Sequence, residues 1–306
     1  MSDEVEQLEK AISGKDEEAM ITFTLNHSTD QRVKLREDYQ TKYNKDLLKD
    51  LESNFKKDFK EVLVGLYKSP AEYDADLLYN AMKGIGSDKE VMTEVLCFRH
   101  DRLEEIKKKF QEKYGKELIP EIKSESSGDY QKIALLLLEG KRGTNSSPDL
   151  EKCTNIAKEL YDAGEGKLGT NEEVFINYFT SLSPEELLLT CKEYHKNHKK
   201  NMLDTIDNEF DGDTRNLLKI ILFGLFAPSE FYARQIHDSV EGLGTADNKL
   251  IRSIIARAEV DMDKIKKYYK IIYNKDMIEQ GNDEDKAHVM TNETDLSLQT
   301  VTTFTE

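Results

Sequence analysis

The chain repeats itself, and that constrains its fold more than any other feature. Lys42-Tyr43-Asn44-Lys45-Asp46-Leu47 returns as Lys113-Tyr114-Gly115-Lys116-Glu117-Leu118, loosely as Glu193-Tyr194-His195-Lys196, and again as Tyr273-Asn274-Lys275-Asp276-Met277. The four tyrosines are 71, 80 and 79 residues apart. Four copies of a unit of about 75 residues fill the chain, which overrides the roughly two domains that length alone suggests. We expect repeat one over 1–70, repeat two over 71–140, a linker over 141–149, repeat three over 150–227, and repeat four over 228–306 with an atypical tail.

Within a unit the apolar period is helical. In copy two, Val91, Met92, Val95 and Leu96 form one face, and Leu103, Ile106 and Phe110 form the next at i, i+3, i+7. Ser87 to Glu90 and Thr170 to Glu173 fit the capping box S/T-x-x-E. Ser126-Ser127-Gly128-Asp129 and Asp211-Gly212-Asp213-Thr214 read as further helix starts. Ser69-Pro70-Ala71-Glu72-Tyr73 and Ala227-Pro228-Ser229-Glu230-Phe231 share one design, in which proline ends one helix and admits the next. The fold class expected is all-α, with about five short helices per unit. Residues 141–149 read as a linker or hinge. Residues 288–306, rich in Thr and β-branched side chains, favour extended structure.

Three glycine-rich loops stand at corresponding places: Met82-Lys83-Gly84-Ile85-Gly86-Ser87, Gly164-Glu165-Gly166-Lys167-Leu168-Gly169-Thr170, and Val240-Glu241-Gly242-Leu243-Gly244-Thr245. Glycines let the backbone turn several carbonyls toward one point. Carbonyls plus one distant carboxylate suit a hard cation such as Ca²⁺, whereas a phosphate cradle presents N–H groups and usually a Lys-Ser/Thr pair. An acid follows each loop: Glu209 lies 38 intervening residues after Thr170, Glu284 lies 38 after Thr245, and Glu125 lies 37 after Ser87. Each carboxylate could equally cap a neighbouring helix N-terminus. Ile85, Leu168 and Leu243 at the loop tips could dip toward lipid or be packed. Copy one offers only Ser13-Gly14-Lys15-Asp16, with Asn54 at the acidic position, so no such site is expected there.

With these residues in place, the chain resembles the annexin family, whose repeat carries Gly-x-Gly-Thr, 38 residues, then Asp or Glu. The resemblance spans about residues 5 to 285 and extends to Ala71-Glu72-Tyr73-Asp74 and Ser127-Gly128-Asp129-Tyr130. It implies four five-helix domains in a curved disc and calcium loops that dock on acidic, phosphatidylserine-like phospholipid membranes. Carried over, the reference site takes carbonyls from Gly164, Lys167 and Gly169 and the carboxylate of Glu209. A second takes carbonyls from Met82, Gly84 and Gly86 with Glu125, its missing residue falling near His100-Asp101. The fourth takes Val240, Gly242 and Gly244, with Asp283, Glu284 or Asp285 as its acid and Glu284 at the family spacing.

Other classes fare worse. A net charge of −16 opposes direct attraction to nucleic acid, and any attraction to an acidic membrane must be local. Cys97, Cys153 and Cys191 are odd in number and lack Cys-x-x-Cys, so buried thiols are expected. His195 and His198 could share a face, but lysines around them point to solvent. Lys107 to Lys109 and Lys264 to Lys270 read as solvated faces, and Lys141 to Thr144 lacks nucleotide-loop spacing. No catalytic arrangement stands out, so an enzyme is not expected. The N-terminus, Met1-Ser2-Asp3-Glu4, lacks a signal-peptide layout, which suggests an intracellular protein, and the annexin resemblance implies a cytoplasmic one peripheral to the inner face of the plasma membrane. The eroded outer copies resemble the alpha-giardin branch of annexins, which implies a rival: a calcium-independent scaffold on microtubules or the flagellar cytoskeleton. Oligomerisation is open.

Overall fold

The computed structural model describes residues 2–84, 86–241 and 246–277. Eighteen helices and no strand occur among the described residues, so the chain is all-α. Copy one folds as α1 (Ser2–Gly14), α2 (Glu17–Leu25), α3 (Thr29–Tyr43), α4 (Leu47–Asn54) and α5 (Lys57–Leu66). Copy two follows as α6 (Pro70–Met82), α7 (Lys89–Phe98), α8 (Leu103–Tyr114), α9 (Leu118–Glu125) and α10 (Gly128–Leu138). Copy three is α11 (Leu150–Ala163), α12 (Glu172–Ser181), α13 (Pro184–His198), α14 (Met202–Glu209) and α15 (Gly212–Phe226). Copy four contributes α16 (Pro228–Val240), α17 (Asp247–Arg257) and α18 (Met262–Tyr273). The two proline junctions start α6 and α16, as proline at the first helical position allows. No described helix is long and apolar enough to cross a membrane.

Two compact units emerge, one of residues 1–73 with 229–306, the other of residues 74–228. In the first, Leu8, Tyr39, Leu51, Leu63 and Tyr67 form one buried cluster that reaches Ile251. Arg32 is buried at its edge and donates to the carbonyls of Leu66, Thr24 and His27, so one guanidinium satisfies helix-end acceptors that would otherwise be orphaned. Its remaining nitrogen reaches Glu259 at 2.7 Å. In the second unit α15 packs on α7, α10 on α12 and α11 on α13. Both apolar faces expected for copy two are buried in full, from Val91 to Leu96 and from Leu103 to Phe110.

Segment 141–149 is tied to the corner between α12 and α13 by Arg142 to the Leu182 carbonyl at 2.8 Å, Gly143 N–H to the Ser181 carbonyl at 2.8 Å, and Ser183 hydroxyl to the Asn145 carbonyl at 2.7 Å. A free hinge would not carry these bonds. At the α15–α7 crossing, a Cβ on Gly224 would lie 2.9 Å from the Cys97 carbonyl oxygen, a backbone atom with little room to yield. Gly224→Ala is therefore expected to cost about 1–3 kcal/mol by overpacking. Denaturant unfolding beside wild type checks this, and an unchanged midpoint would refute it.

The αL caps that end α3, α8, α13 and α18 are Asn44, Gly115, Lys199 and Asn274. They correct one register. The counterpart of Tyr43, Tyr114 and Tyr273 is His198, four residues beyond Tyr194. His198 stacks on Tyr161 as Tyr114 stacks on Tyr79 and Tyr273 on His237. Tyr194 belongs instead with the buried Tyr39, Phe110 and Tyr269.

Candidate metal centre

Every copy closes the turn after its first helix in the same way. The N–H of the residue heading the second helix donates to a carbonyl in the first helix's last turns: Asp88 to Ala81 at 2.8 Å, Asn171 to Ala163 at 2.7 Å, Ala246 to Ser239 at 2.8 Å, and Asp16 to Ala11 at 3.0 Å. The closed segment holds residues 82–87, 164–170 and 240–245 in copies two to four, but only 12–15 in copy one. Copy one therefore lacks the length for a carbonyl ring, and Lys15 at φ +51° makes the whole turn. Gly84 at φ +105° and Gly169 at φ +83° occupy the left-handed region that glycine alone enters without penalty.

Helix packing carries the distant acids to the loops. Glu125 and Glu209 are the last residues of α9 and α14, both eight residues long, and Asn54 ends α4 at the same place. The residue missing from copy two therefore falls upstream, between α7 and the end of α8. A carboxylate at a helix C-terminus meets the negative end of the macrodipole. Neither the Glu125 nor the Glu209 carboxylate accepts a backbone N–H among the described residues, so neither makes an N-capping bond there.

The reference loop converges on its acid. A Cβ on Gly164 would lie 3.1 Å from Cγ and 3.2 Å from Cδ of Glu209, so any larger residue there would crowd the carboxylate. Thr170 donates its hydroxyl to the Glu209 carboxylate and reaches the Glu209 carbonyl at 3.3 Å. Glu165 clamps the loop's other side, accepting from Asn208 at 2.9 Å and Lys200 at 3.0 Å. Those two donors hold its carboxyl below the usual glutamate value. The Gly164 carbonyl accepts the Lys167 N–H at 3.0 Å and keeps a second lone pair. Lys167, Leu168 and Gly169 are exposed, Leu168 completely. Oxygen donors beside a lone carboxylate, on a loop open to solvent, suit Ca²⁺.

Copy two shares the frame but differs in detail. Ser87 donates to the Glu125 carbonyl at 3.0 Å, and the Glu125 carboxylate accepts no hydrogen bond among the described residues. Met82 ends α6 and is buried, while Gly84 and Gly86 are exposed. In copy four, Val240 is buried at the end of α16. Gly242, Gly244 and Glu284 lie outside the described residues, as do Ile85, Leu243, Asp283, Asp285 and the tail over 286–306.

Ser87 and Thr170 do not form the expected capping boxes. Each precedes the true N-cap, Asp88 or Asn171, and spends its hydroxyl on the end of a distant helix. The boxes present are Ser28 with Gln31 and Ser183 with Glu186. Among the described residues no cluster of three His, Cys, Asp or Glu stands ready for a metal, so any cation at these loops relies on carbonyls. His195 and His198 do not act together: the His195 ring nitrogen sits 3.3 Å from the Lys200 carbonyl, and His198 is stacked. All three cysteines are free thiols, and burial pushes Cys191 up to about 12.

Comparisons with known proteins agree with this frame. A family model described as Annexin matches residues 3–66, 73–137, 156–221 and 231–291. Annexin A7 of Homo sapiens is 33% identical over 275 residues, 89% of this chain but 56% of that protein, so the chain spans about half the length of that relative. Annexin A1 of Bos taurus is 33% identical over 289 residues, 94% of this chain and 84% of that protein. Among solved structures, annexin III superposes with a TM-score of 0.90 at 29% identity, covering 100% of this chain and 94% of that one. Calcium-bound annexin (Sm)1 gives 0.83 at 26%, covering 100% and 90%. Alpha-14 giardin gives 0.79 at 20%, covering 96% and 98%, a likeness of fold alone. With four copies of the family's repeat matched along an all-α chain, the protein belongs to the annexin family.

Proposed function

We propose that this annexin binds acidic phospholipid surfaces in a calcium-dependent way, as a peripheral membrane protein on the cytoplasmic side, with the loop over 164–170 as its principal site. One observation carries this reading: Gly164 and the Glu209 side chain lie so close that even a methyl on Gly164 would crowd it, although 44 residues separate them in sequence. A calcium-bound structure among the chain's structural neighbours supports the choice of ion.

Each residue has a stated task. Glu209 supplies the negative charge, Thr170 orients its carboxylate, and the carbonyls of Gly164, Lys167 and Gly169 supply neutral oxygens. Glu165, held by Asn208 and Lys200, keeps the loop against α14. Ca²⁺ held there supplies open coordination positions for lipid phosphate oxygens. Calcium affinity and lipid affinity then rise together by linkage, and the loop over 82–87 with Glu125 adds avidity as a second site. Val240, Gly242 and Gly244 with Glu284 form the third site of the proposal. The exposed Leu168 side chain stands at the tip, where it meets the lipid interface.

Co-sedimentation with phosphatidylserine vesicles tests this. The protein is expected to pellet with Ca²⁺ and to stay in the supernatant in chelator. Equal pelleting in both would overturn the proposal.

A further inference from the structure

Loop two carries a charge its sisters lack. The first residue of α7 is Lys89, whereas the corresponding first residues of α12 and α17 are Glu172 and Asp247. An acid there complements the helix macrodipole, and a lysine opposes it, so helix stability gives no reason for Lys89. Its contacts give one. The ammonium donates to both the Ser87 hydroxyl and the Glu125 main-chain carbonyl, and it lies 5.5 Å from the centre of the Tyr130 ring. In copy three the matching hydroxyl, that of Thr170, touches the Glu209 carboxylate itself. The ammonium thus sits one hydrogen bond from the place where the reference site concentrates its negative charge.

Building on the calcium reading above, we propose that Lys89 is a built-in cation of loop two: it fastens the loop to the end of α9 without metal and makes this the weaker calcium site. Three oxygen functions belong to that corner: the Ser87 hydroxyl and the Glu125 carbonyl, which meet at the ammonium, and the Glu125 carboxylate, which forms no ion pair with it. The ammonium satisfies the first two and leaves the carboxylate without a hydrogen bond among the described residues. A fixed positive charge a few ångströms from a divalent ion repels it, and the partly buried setting of Lys89 limits screening. Loop two is therefore preorganised in the absence of calcium, whereas loop three relies on Glu165 and Thr170.

The test combines two measurements. Calcium is titrated calorimetrically, with phosphatidylserine vesicles present, into wild type, Lys89→Met, Lys89→Glu, Lys89→Met/Glu125→Gln and Glu209→Gln. Thermal unfolding is followed in chelator. Lys89→Met is expected to tighten one binding event about tenfold, Lys89→Glu to tighten it further, and addition of Glu125→Gln to abolish the gain. In chelator Lys89→Met is expected to unfold a few degrees below wild type, a loss that calcium restores. If calcium binds wild type and Glu209→Gln removes the tight event, but the Lys89 variants match wild type, the proposal alone fails. If wild type takes up no calcium at all, the calcium reading fails and the proposal falls with it.

Discussion

Glu209→Gln is expected to raise the calcium concentration needed for half-maximal vesicle binding by about a hundredfold, with no loss of thermal stability in chelator. The carboxylate is the negative charge at the loop that no cation among the described residues pairs, Glu165 being paired with Lys200, and its loss beside a divalent ion costs a few kcal/mol at the intermediate dielectric of a half-buried site. Stability should hold because the side chain ends α14 where its charge opposes the helix dipole, and the amide still accepts from Thr170. Gly164→Ala supplies a second, steric route to the same defect. The backbone there has φ −126° and ψ −102°, outside the α and β regions that alanine favours, and its methyl would press on Glu209 Cγ and Cδ. Both variants should therefore lose calcium affinity, and Glu209→Gln alone should keep its melting temperature in chelator. Vesicle binding by Glu209→Gln at wild-type calcium concentrations would show that the loop over 164–170 is not the principal site.

The contrast among the three loops shows what could be read from the chain. Helices α7 and α8 were legible because their buried positions recur at helical spacing and lie within a few residues of one another. The approach of Glu209 to its loop and of the end of α9 to loop two was legible only because the pattern recurs: one Gly-x-Gly means little, and a shared spacing of nearly forty residues means much. Tyr194 misled because an aromatic ring at the end of α13 is preserved as His198, so identity matching locked onto the wrong ring of a buried pair. The capping boxes misled because a hydroxyl one residue before an N-cap reads the same as one at it, and its true partner lies on another helix. Lys89 is illegible in the sequence for a related reason. Its contact with Glu125 spans 36 residues, and nothing nearby in sequence distinguishes it from an ordinary surface lysine.

Arg99→Met is expected to cost about 3–5 kcal/mol, the largest stability loss anticipated from a single substitution in the unit of residues 74–228. Its guanidinium lies between two carboxylates, with Nε 3.2 Å from Asp74 and a terminal nitrogen 3.9 Å from Glu94. All three side chains are at most 3% exposed. Burial already pushes the Asp74 carboxyl above its ordinary value, against the pull of Arg99 and then Arg102. Without Arg99 the Asp74 carboxyl loses the largest pull that opposes its burial, and its protonated form is favoured further. A carboxyl whose folded pKa is raised contributes stability that is present below the unfolded pKa and lost as pH rises through the folded pKa. The deficit of Arg99→Met should therefore be large near neutrality and shrink as pH falls toward the carboxylate range, which a cavity left by the lost side chain would not do. Replacing all three charges together, as Asp74→Leu, Glu94→Met and Arg99→Met, should cost less than Arg99→Met alone, because no buried charge is then left without its counterion. Unfolding measured across pH on the single and triple variants decides the matter: a pH-independent loss, or a triple variant worse than the single, would place the cost in packing rather than in charge.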